Sequence, residues 1–164
     1  MILEYAQLLS TAHRVLDGKQ YIDSSSGRKI KRWSLDDSRE PALYKATHIN
    51  HPSAVWVRQS KANYDWLYVM WRELIREYKY RYYKTHACEK LIKPLTRVPY
   101  SIFDTAFTPP PPAMPDHCKV QNDSIASYRK YYIVEKSRFA TWKERLIPEW
   151  YIEGLNNANI SISK

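Results

Sequence analysis

The chain has 164 residues, with 26 Lys and Arg against 17 Asp and Glu and a formal charge of +9. That length supports one sizeable core, burying roughly 70% of the surface the unfolded chain exposes, and predicts a single domain. The charge points to anionic partners, nucleic acid, nucleotides or an anionic membrane, without choosing among them, and no apolar run approaches the ~20 residues that span a bilayer.

Met-Ile-Leu-Glu-Tyr at the start has neither the basic n-region nor the long apolar stretch of a signal peptide, so a cytoplasmic protein is expected. Cys88 and Cys118 alone give no disulfide framework and fit a reducing compartment. Six Trp and 14 Tyr exceed what one core absorbs, so many rings should reach solvent.

Leu3, Ala6, Leu9, Ala12 or His13, and Leu16 recur at helical spacing and predict an amphipathic helix over 2–16, stopped by Asp17-Gly18. From Gln20 to Trp33, short apolar and β-branched runs flank a Ser/Gly-rich turn, the pattern of a β-hairpin. Its second arm is basic, with Arg28, Lys29, Lys31 and Arg32. Residues 34–50 read as a polar loop with one helical turn around Ala42 to Lys45. Pro52 suits the first turn of a helix, where its missing N–H has no partner to lose. That helix begins near Ser53 and either runs on to Thr85 or breaks at Ser60 or Asn63, with Asn63 able to cap a second helix from Tyr64.

Beyond Tyr64, the stripe Leu67, Trp71, Leu74, Ile75, Tyr78 and Tyr82 should face inward, and Arg72, Arg76, Lys79 and Tyr83 line a neighbouring cationic face. Residues 54–97 hold ten Lys or Arg against four acids, two thirds of the whole excess. Prolines 94, 99, 109 to 112 and 115 predict an extended strap over 94–121 that is stiff rather than an SH3-type ligand. Asn122 or Asp123 should cap a last long helix with Ile125, Tyr128, Tyr132, Lys136 and Phe139 on one side, ended by Pro148. The predicted fold is mainly α: a single domain over 1–155 of three principal helices, a small basic β-hairpin and a long Pro-rich connecting strap, with a frayed tail over 156–164.

His48-x-x-His51-Pro precedes the central helix, where free N–H groups favour an anion. Either histidine could serve as a general acid or phosphate contact with Arg58 as the clamp, or the two could cap the helix and pack beneath the loop. Glu73, one turn from Glu77, could act as a general base, although an ion pair with Arg76, Lys79 or Arg81 is the favoured role. His48, His51, His86, Cys88, His117 and Cys118 lack the two close pairs by which zinc sites declare themselves, so no metal and no cofactor are expected.

Residues 128–143 repeat the aromatic and cationic mixture of the central helix. Packed together, the two stretches would form a groove. Arg58, Lys61, Arg72, Arg76, Lys79, Arg129, Lys136 and Lys143 would bind phosphate there, and Tyr64, Trp66, Tyr80, Tyr83, Tyr128, Trp142 and Trp150 would stack on bases. Tyr132 and Phe139 are the rings assigned to the core first.

His-Pro-Ser-Ala-Val-Trp-Val-Arg-Gln-Ser-Lys-Ala-Asn-Tyr-Asp-Trp-Leu over 51–67, Met114-Pro-Asp, Tyr128-Arg-Lys-Tyr-Tyr and Phe139-Ala-Thr-Trp resemble segments of uncharacterised tailed-bacteriophage proteins. More distantly, a histidine before a long basic helix with Tyr64-Asp65, a Pro-bearing loop, a final helix and Pro148-Glu-Trp-Tyr151 resemble the layout of the phage pyrimidine-dimer DNA glycosylases. The resemblance implies that architecture, DNA as ligand and a host-cell setting. It transfers no catalytic residue: those enzymes use an α-amine freed by Met removal, whereas Met1 here precedes bulky Ile2, and Glu4 sits too near the start to match their carboxylate.

The expected function is thus a phage-type nucleic-acid protein, in its sharpest form a base-processing or repair enzyme that holds an extruded nucleotide among aromatic rings. His51, His48 and Glu73 are its candidate catalytic groups. Two alternatives stand beside it: a non-catalytic protein that inhibits or redirects a host protein through exposed rings, and an enzyme acting on free nucleotides. No membrane partner is expected, and the oligomeric state is left open.

Overall fold

The computed structural model describes residues 1–158. Helices dominate: α1 Ile2–Asp17, α2 Pro52–Val57, α3 Lys61–Tyr82, α4 Ile92–Leu95, α5 Ser124–Glu135 and α6 Glu149–Asn157. Short 3₁₀ turns lie at Ala87–Leu91, Asp116–Cys118 and Ser137–Phe139. β1 Lys19–Asp23 and β2 Ile30–Ser34 pair antiparallel, with Lys19 opposite Ser34 and Tyr21 opposite Arg32. The chain falls into two compact units, Met1–Thr108 and the part from Pro109 onward.

In the first unit α1 presents Ala6, Leu9 and Ala12, all fully buried, to a core that includes Tyr64, Leu67, Trp71 and Ile75 of α3. The Trp71 indole N–H donates to the Ile2 carbonyl at 3.0 Å, joining the start of α1 to the middle of α3. Gly18 lets the hairpin leave α1 closely, because a Cβ there would lie 2.4 Å from the Arg14 carbonyl oxygen.

Pro52 does open α2, with His51 as the cap accepting from the Ser53 N–H. The break before α3 falls at Ser60, whose hydroxyl accepts from the Asn63 N–H at 3.1 Å. Asn63 is therefore not the cap. It is fully buried, and its amide group donates to the Trp56 carbonyl and the Thr108 hydroxyl while accepting from the Thr108 N–H. The strap is pinned there and again where the Lys61 N–H donates to the Phe103 carbonyl. It has no helix or strand over 102–113, but Pro94 lies within α4, a 3₁₀ turn forms at Asp116–Cys118 inside the expected strap, and the expected helical turn at Ala42 to Lys45 is replaced by turns over 38–42.

In the second unit Asp123 caps α5, accepting from the Ala126 N–H at 2.8 Å. α5 stops at Glu135 rather than running to Pro148, and Pro148 instead caps α6. Tyr132 and Phe139, expected in the core, are 46% and 55% exposed. The buried set is Cys118, Ser127, Tyr151 and Leu155, beside an edge-to-face cluster of Trp142, Trp150 and Tyr151. α5 and α6 meet at Gly154, where a Cβ would lie 2.1 Å from the Ile133 Cδ1. Asn156 and Asn157 extend α6, and residues 159–164 of the expected frayed tail lie outside the described residues.

Arg14 sits in the buried seam of α1, only 2% exposed, and all five guanidinium N–H groups have acceptors. Nε donates to the Tyr44 carbonyl, Nη1 to the Trp33 carbonyl and Glu40 Oε2, and Nη2 to the Glu40 and Leu43 carbonyls. One side chain thereby fixes the backbone of a loop whose Leu35 and Leu43 reach into the core. Arg14→Met should lower the unfolding free energy by about 3–5 kcal/mol, since it strands a carboxylate and four carbonyls, and Arg14→Lys should rescue little of it. Denaturant midpoints at constant m measure this, and a loss under about 1 kcal/mol would refute the role.

Candidate functional site

The most perturbed titratable groups form a chain through the first unit. Arg39 Nη1 donates to His13 Nδ1 at 2.9 Å, which leaves the proton on Nε2. Nε2 donates to the Tyr64 hydroxyl at 2.8 Å, and that hydroxyl donates to the Leu95 carbonyl at 3.0 Å. Arg39 also binds Asp17 and Asp37, and Asp17 accepts from the Tyr100 and Ser101 N–H groups.

Burial, then the Arg39 guanidinium, lowers His13 to about 4 against the pull of Asp17 and Asp37. Burial alone would raise Asp17, but hydrogen bonds from Arg39 and from the Ser101 and Tyr100 N–H groups outweigh it and hold the carboxyl below its ordinary range. Burial raises the Tyr64 phenol well above its usual value. Such shifts often mark active sites, yet His13 and Tyr64 are both 0% exposed, so no substrate reaches them. The chain is an internal polar seam. Sequence reasoning missed it, although His13-Arg14 on the inward face of an amphipathic helix is its visible trace.

The predicted catalytic side chains are placed separately. His51 is exposed and occupied as the α2 cap, with Nδ1 accepting from the Ser53 N–H at 3.2 Å. His48 is exposed in a left-handed conformation at φ 46°, its Nδ1 2.8 Å from the Thr47 hydroxyl. Glu73 pairs with Arg76 at 2.8 Å, the favoured ion-pair reading. Arg58 is half-buried and donates to the Ile49 and Ala54 carbonyls, and burial lowers its pKa. These bonds occupy it within the fold rather than at a phosphate.

No base can stack on Tyr64, because it has no exposed surface. The remaining candidates of α3 do share a face. At about 100° per residue, Arg72, Arg76 and Lys79 fall within about 60° of one another on the solvent side, with Val69 and Tyr80 next to them and Tyr83 following as the left-handed cap. Arg72, Arg76 and Lys79 are all exposed, as are Tyr80 at 45% and Tyr83 at 80%. Lys61 lies at the other end of α3, 3.9 Å from Asp65. Trp66 is 39% exposed and packs against Trp56 and Phe107.

The other half of the predicted groove belongs to the second unit, where several cations are engaged by rings of that unit. The Arg129 guanidinium carbon lies 5.3 Å from the Trp150 ring centre, and the Lys136 ammonium 5.1 Å from Tyr131 and 5.5 Å from Phe139. Lys143 is exposed. Tyr128 is 38% exposed and donates weakly to the Pro111 carbonyl, and Trp142 is half-buried in the Trp150 and Tyr151 cluster. Residues 1–108 carry 18 Lys or Arg against 11 acids, so +7 of the total +9 belongs to the first unit.

No protein-family model, curated protein or solved structure matches the chain. No described helix is long and apolar enough to cross a membrane. The seam generates a pH dependence of its own. His13 binds a proton in the unfolded chain below its ordinary 6.5 but in the folded one only below about 4, so its stabilising contribution is complete above 6.5 and lost as pH falls between those values. Unfolding free energy should drop by about 3 kcal/mol from pH 7 to 4, and the slope between pH 4.5 and 6.5 should vanish in His13→Asn. An unchanged slope in that variant would reject the assignment.

Proposed function

We propose that the protein binds nucleic acid along the solvent face of α3, with Arg72, Arg76 and Lys79 against phosphates and Tyr83 and Tyr80 against unpaired bases. The observation that carries this reading is three exposed cations aligned on one rigid helix, with the exposed rings of Tyr80 beside them and of Tyr83 at its cap. Cations neutralise phosphates and release counterions, and a ring accepts any base on its face. The proposed ligand is DNA, in agreement with the distant resemblance to the phage glycosylases, and the proposed setting is a reducing cytoplasm in which buried Cys88 and Cys118 stay free thiols.

Tyr83 adds a second support. It ends α3 in a left-handed conformation at φ 53°, a place where glycine costs nothing and a bulky side chain costs about 1 kcal/mol. A tyrosine kept in such a position, with 80% of it in solvent, gains little from packing. Strain of this kind is a reason to look for a binding role.

Binding to single-stranded and duplex DNA across a salt series tests the proposal. Replacing Arg72, Arg76 and Lys79 together by Gln should weaken binding tenfold or more at low salt and reduce the magnitude of the log–log salt slope by about 2–3. Glu73→Gln should strengthen binding, because it frees Arg76 from its carboxylate. Tyr83→Gly should raise thermal stability yet weaken single-strand binding. If the wild type binds no DNA at low salt, the reading passes to a protein partner anchored on Val69 and Trp66, which are 59% and 39% exposed on α3.

A further inference from the structure

The second unit brings a histidine, a thiol and a carboxylate together at one point. Ligand atoms of His117, Cys118 and Glu135 all lie within 4.8 Å of one another, and His117 Nε2 is 2.8 Å from Glu135 Oε1. Cys118 is fully buried, whereas His117 and Glu135 reach solvent at side-chain exposures of 58% and 40%. We propose that these three side chains bind a borderline divalent transition metal, zinc(II) by chemistry, at a site with one position left open for water or an external ligand.

The donor set argues for that ion class. Imidazole, thiolate and carboxylate together suit zinc, and a thiolate with a carboxylate offers two negative charges to a dication. Tetrahedral zinc with bonds of about 2.0–2.3 Å places its donors about 3.4–3.6 Å apart. The cluster reaches that spacing if the His117 and Glu135 pair opens from 2.8 Å by under about 1 Å and any donor pair near the 4.8 Å limit closes by about 1.3 Å around the ion. Both are exposed side chains at the mouth of the cluster, so the fold resists this little.

The donors are also held in place by a built scaffold. His117 and Cys118 belong to the Asp116–Cys118 turn, where the Cys118 N–H donates to the Pro115 carbonyl at 3.0 Å. Glu135 is the last residue of α5. The segment between is fixed by Ser127, fully buried on α5, whose hydroxyl accepts from the Val120 N–H at 2.8 Å and donates to the Asp123 carbonyl at 2.6 Å. Lys119 is turned to Asp116 at 2.7 Å, which reduces the competing positive charge. The bland alternative, a surface ion pair of His117 with Glu135, leaves the adjacent sulfur a coincidence. Nothing in this inference depends on nucleic-acid binding by α3.

Cobalt(II) titration of the chelator-treated full-length chain, followed by absorption, decides the matter. The expected result is one equivalent bound with a thiolate-to-cobalt charge-transfer band that zinc(II) displaces. Cys118→Ser should abolish the band, Cys88→Ser should leave it intact, and His117→Ala and Glu135→Gln should each weaken binding by about tenfold or more. The last two positions are exposed, so those variants keep the reading decidable even if Cys118→Ser folds poorly. A wild type with no thiolate band, a band that survives in Cys118→Ser, or affinity unchanged in both His117→Ala and Glu135→Gln overturns the site.

Discussion

An arginine with five acceptors, buried on the first helix, is the constraint on which the first unit depends. Arg14 gathers carbonyls from Trp33, Glu40, Leu43 and Tyr44 and the Glu40 carboxylate, so polar contacts tie down the end of the hairpin and the loop that follows, alongside the Leu35 and Leu43 side chains that the loop buries in the core. Glu40 in turn accepts from the Leu35 N–H at 2.7 Å. One helical turn of α1 then carries both systems, because His13 and Arg14 are neighbours in sequence and Asp17 completes the contacts to Arg39. A buried cation is costly to desolvate, and what makes it tolerable here is that no donor on it is left without an acceptor.

Tyr64 shows how that seam organises the aromatic content. A tyrosine on a helix bristling with cations reads as a surface ring, yet α3 turns it inward because its hydroxyl has a donor in His13 and an acceptor in Leu95. Tyr68 follows the same rule, with its hydroxyl donating to the Ile92 carbonyl at 3.0 Å. The polar handle that argues for solvent in the sequence is satisfied inside, and the ring is free to pack. This is why α3 can bury Tyr64, Tyr68 and Trp71 on one side and still carry Tyr80 and Tyr83 in solvent on the other.

Legibility in the sequence followed from whether a signal was local. The α1 periodicity, the hairpin around its Ser/Gly turn and Pro52 at a helix start are short-range patterns with counterparts in the fold, and the α3 stripe holds at Leu67, Trp71 and Ile75, whereas Leu74 and Tyr78 are half-buried and Tyr82, expected inward, is 48% exposed near the end of the helix. The Ser60 break was visible but ambiguous, since Ser60 and Asn63 are both good caps and only the distant Thr108 shows that Asn63 is needed elsewhere. The end of α5 carried no breaker at all: Lys136 closes the helix without Gly, Asn or Pro, and the chain turns to bring in α6 at Gly154. The His13, Arg14 and Arg39 seam links residues 13 and 39, and the His117, Cys118 and Glu135 cluster links 117 and 135, separations that spacing rules do not read.

Charge accounting separates the cations that hold the fold from those that remain for a ligand. Arg14, Arg39 and Arg58 are directed at carbonyls and carboxylates inside the first unit, and Arg129, Lys136 and Arg138 lie over aromatic rings in the second. A cation already bound to a buried carbonyl or a ring must give up that contact before it meets a phosphate, so its net contribution to binding is small even when the residue type is ideal. Arg72 and Lys79 stand on the other side of that division: both are exposed on a helix whose opposite face is fixed in the core, and Arg72 lies 6.0 Å from the centre of the Tyr68 ring, a more distant ring contact than those of Arg129, Lys136 and Arg138. Among the described residues neither is bound to a carboxylate or a buried carbonyl, and the rigid support lowers the ordering cost of meeting an anion. That asymmetry among chemically equivalent residues, rather than the overall basicity of the chain, is the ground on which α3 is the proposed binding face.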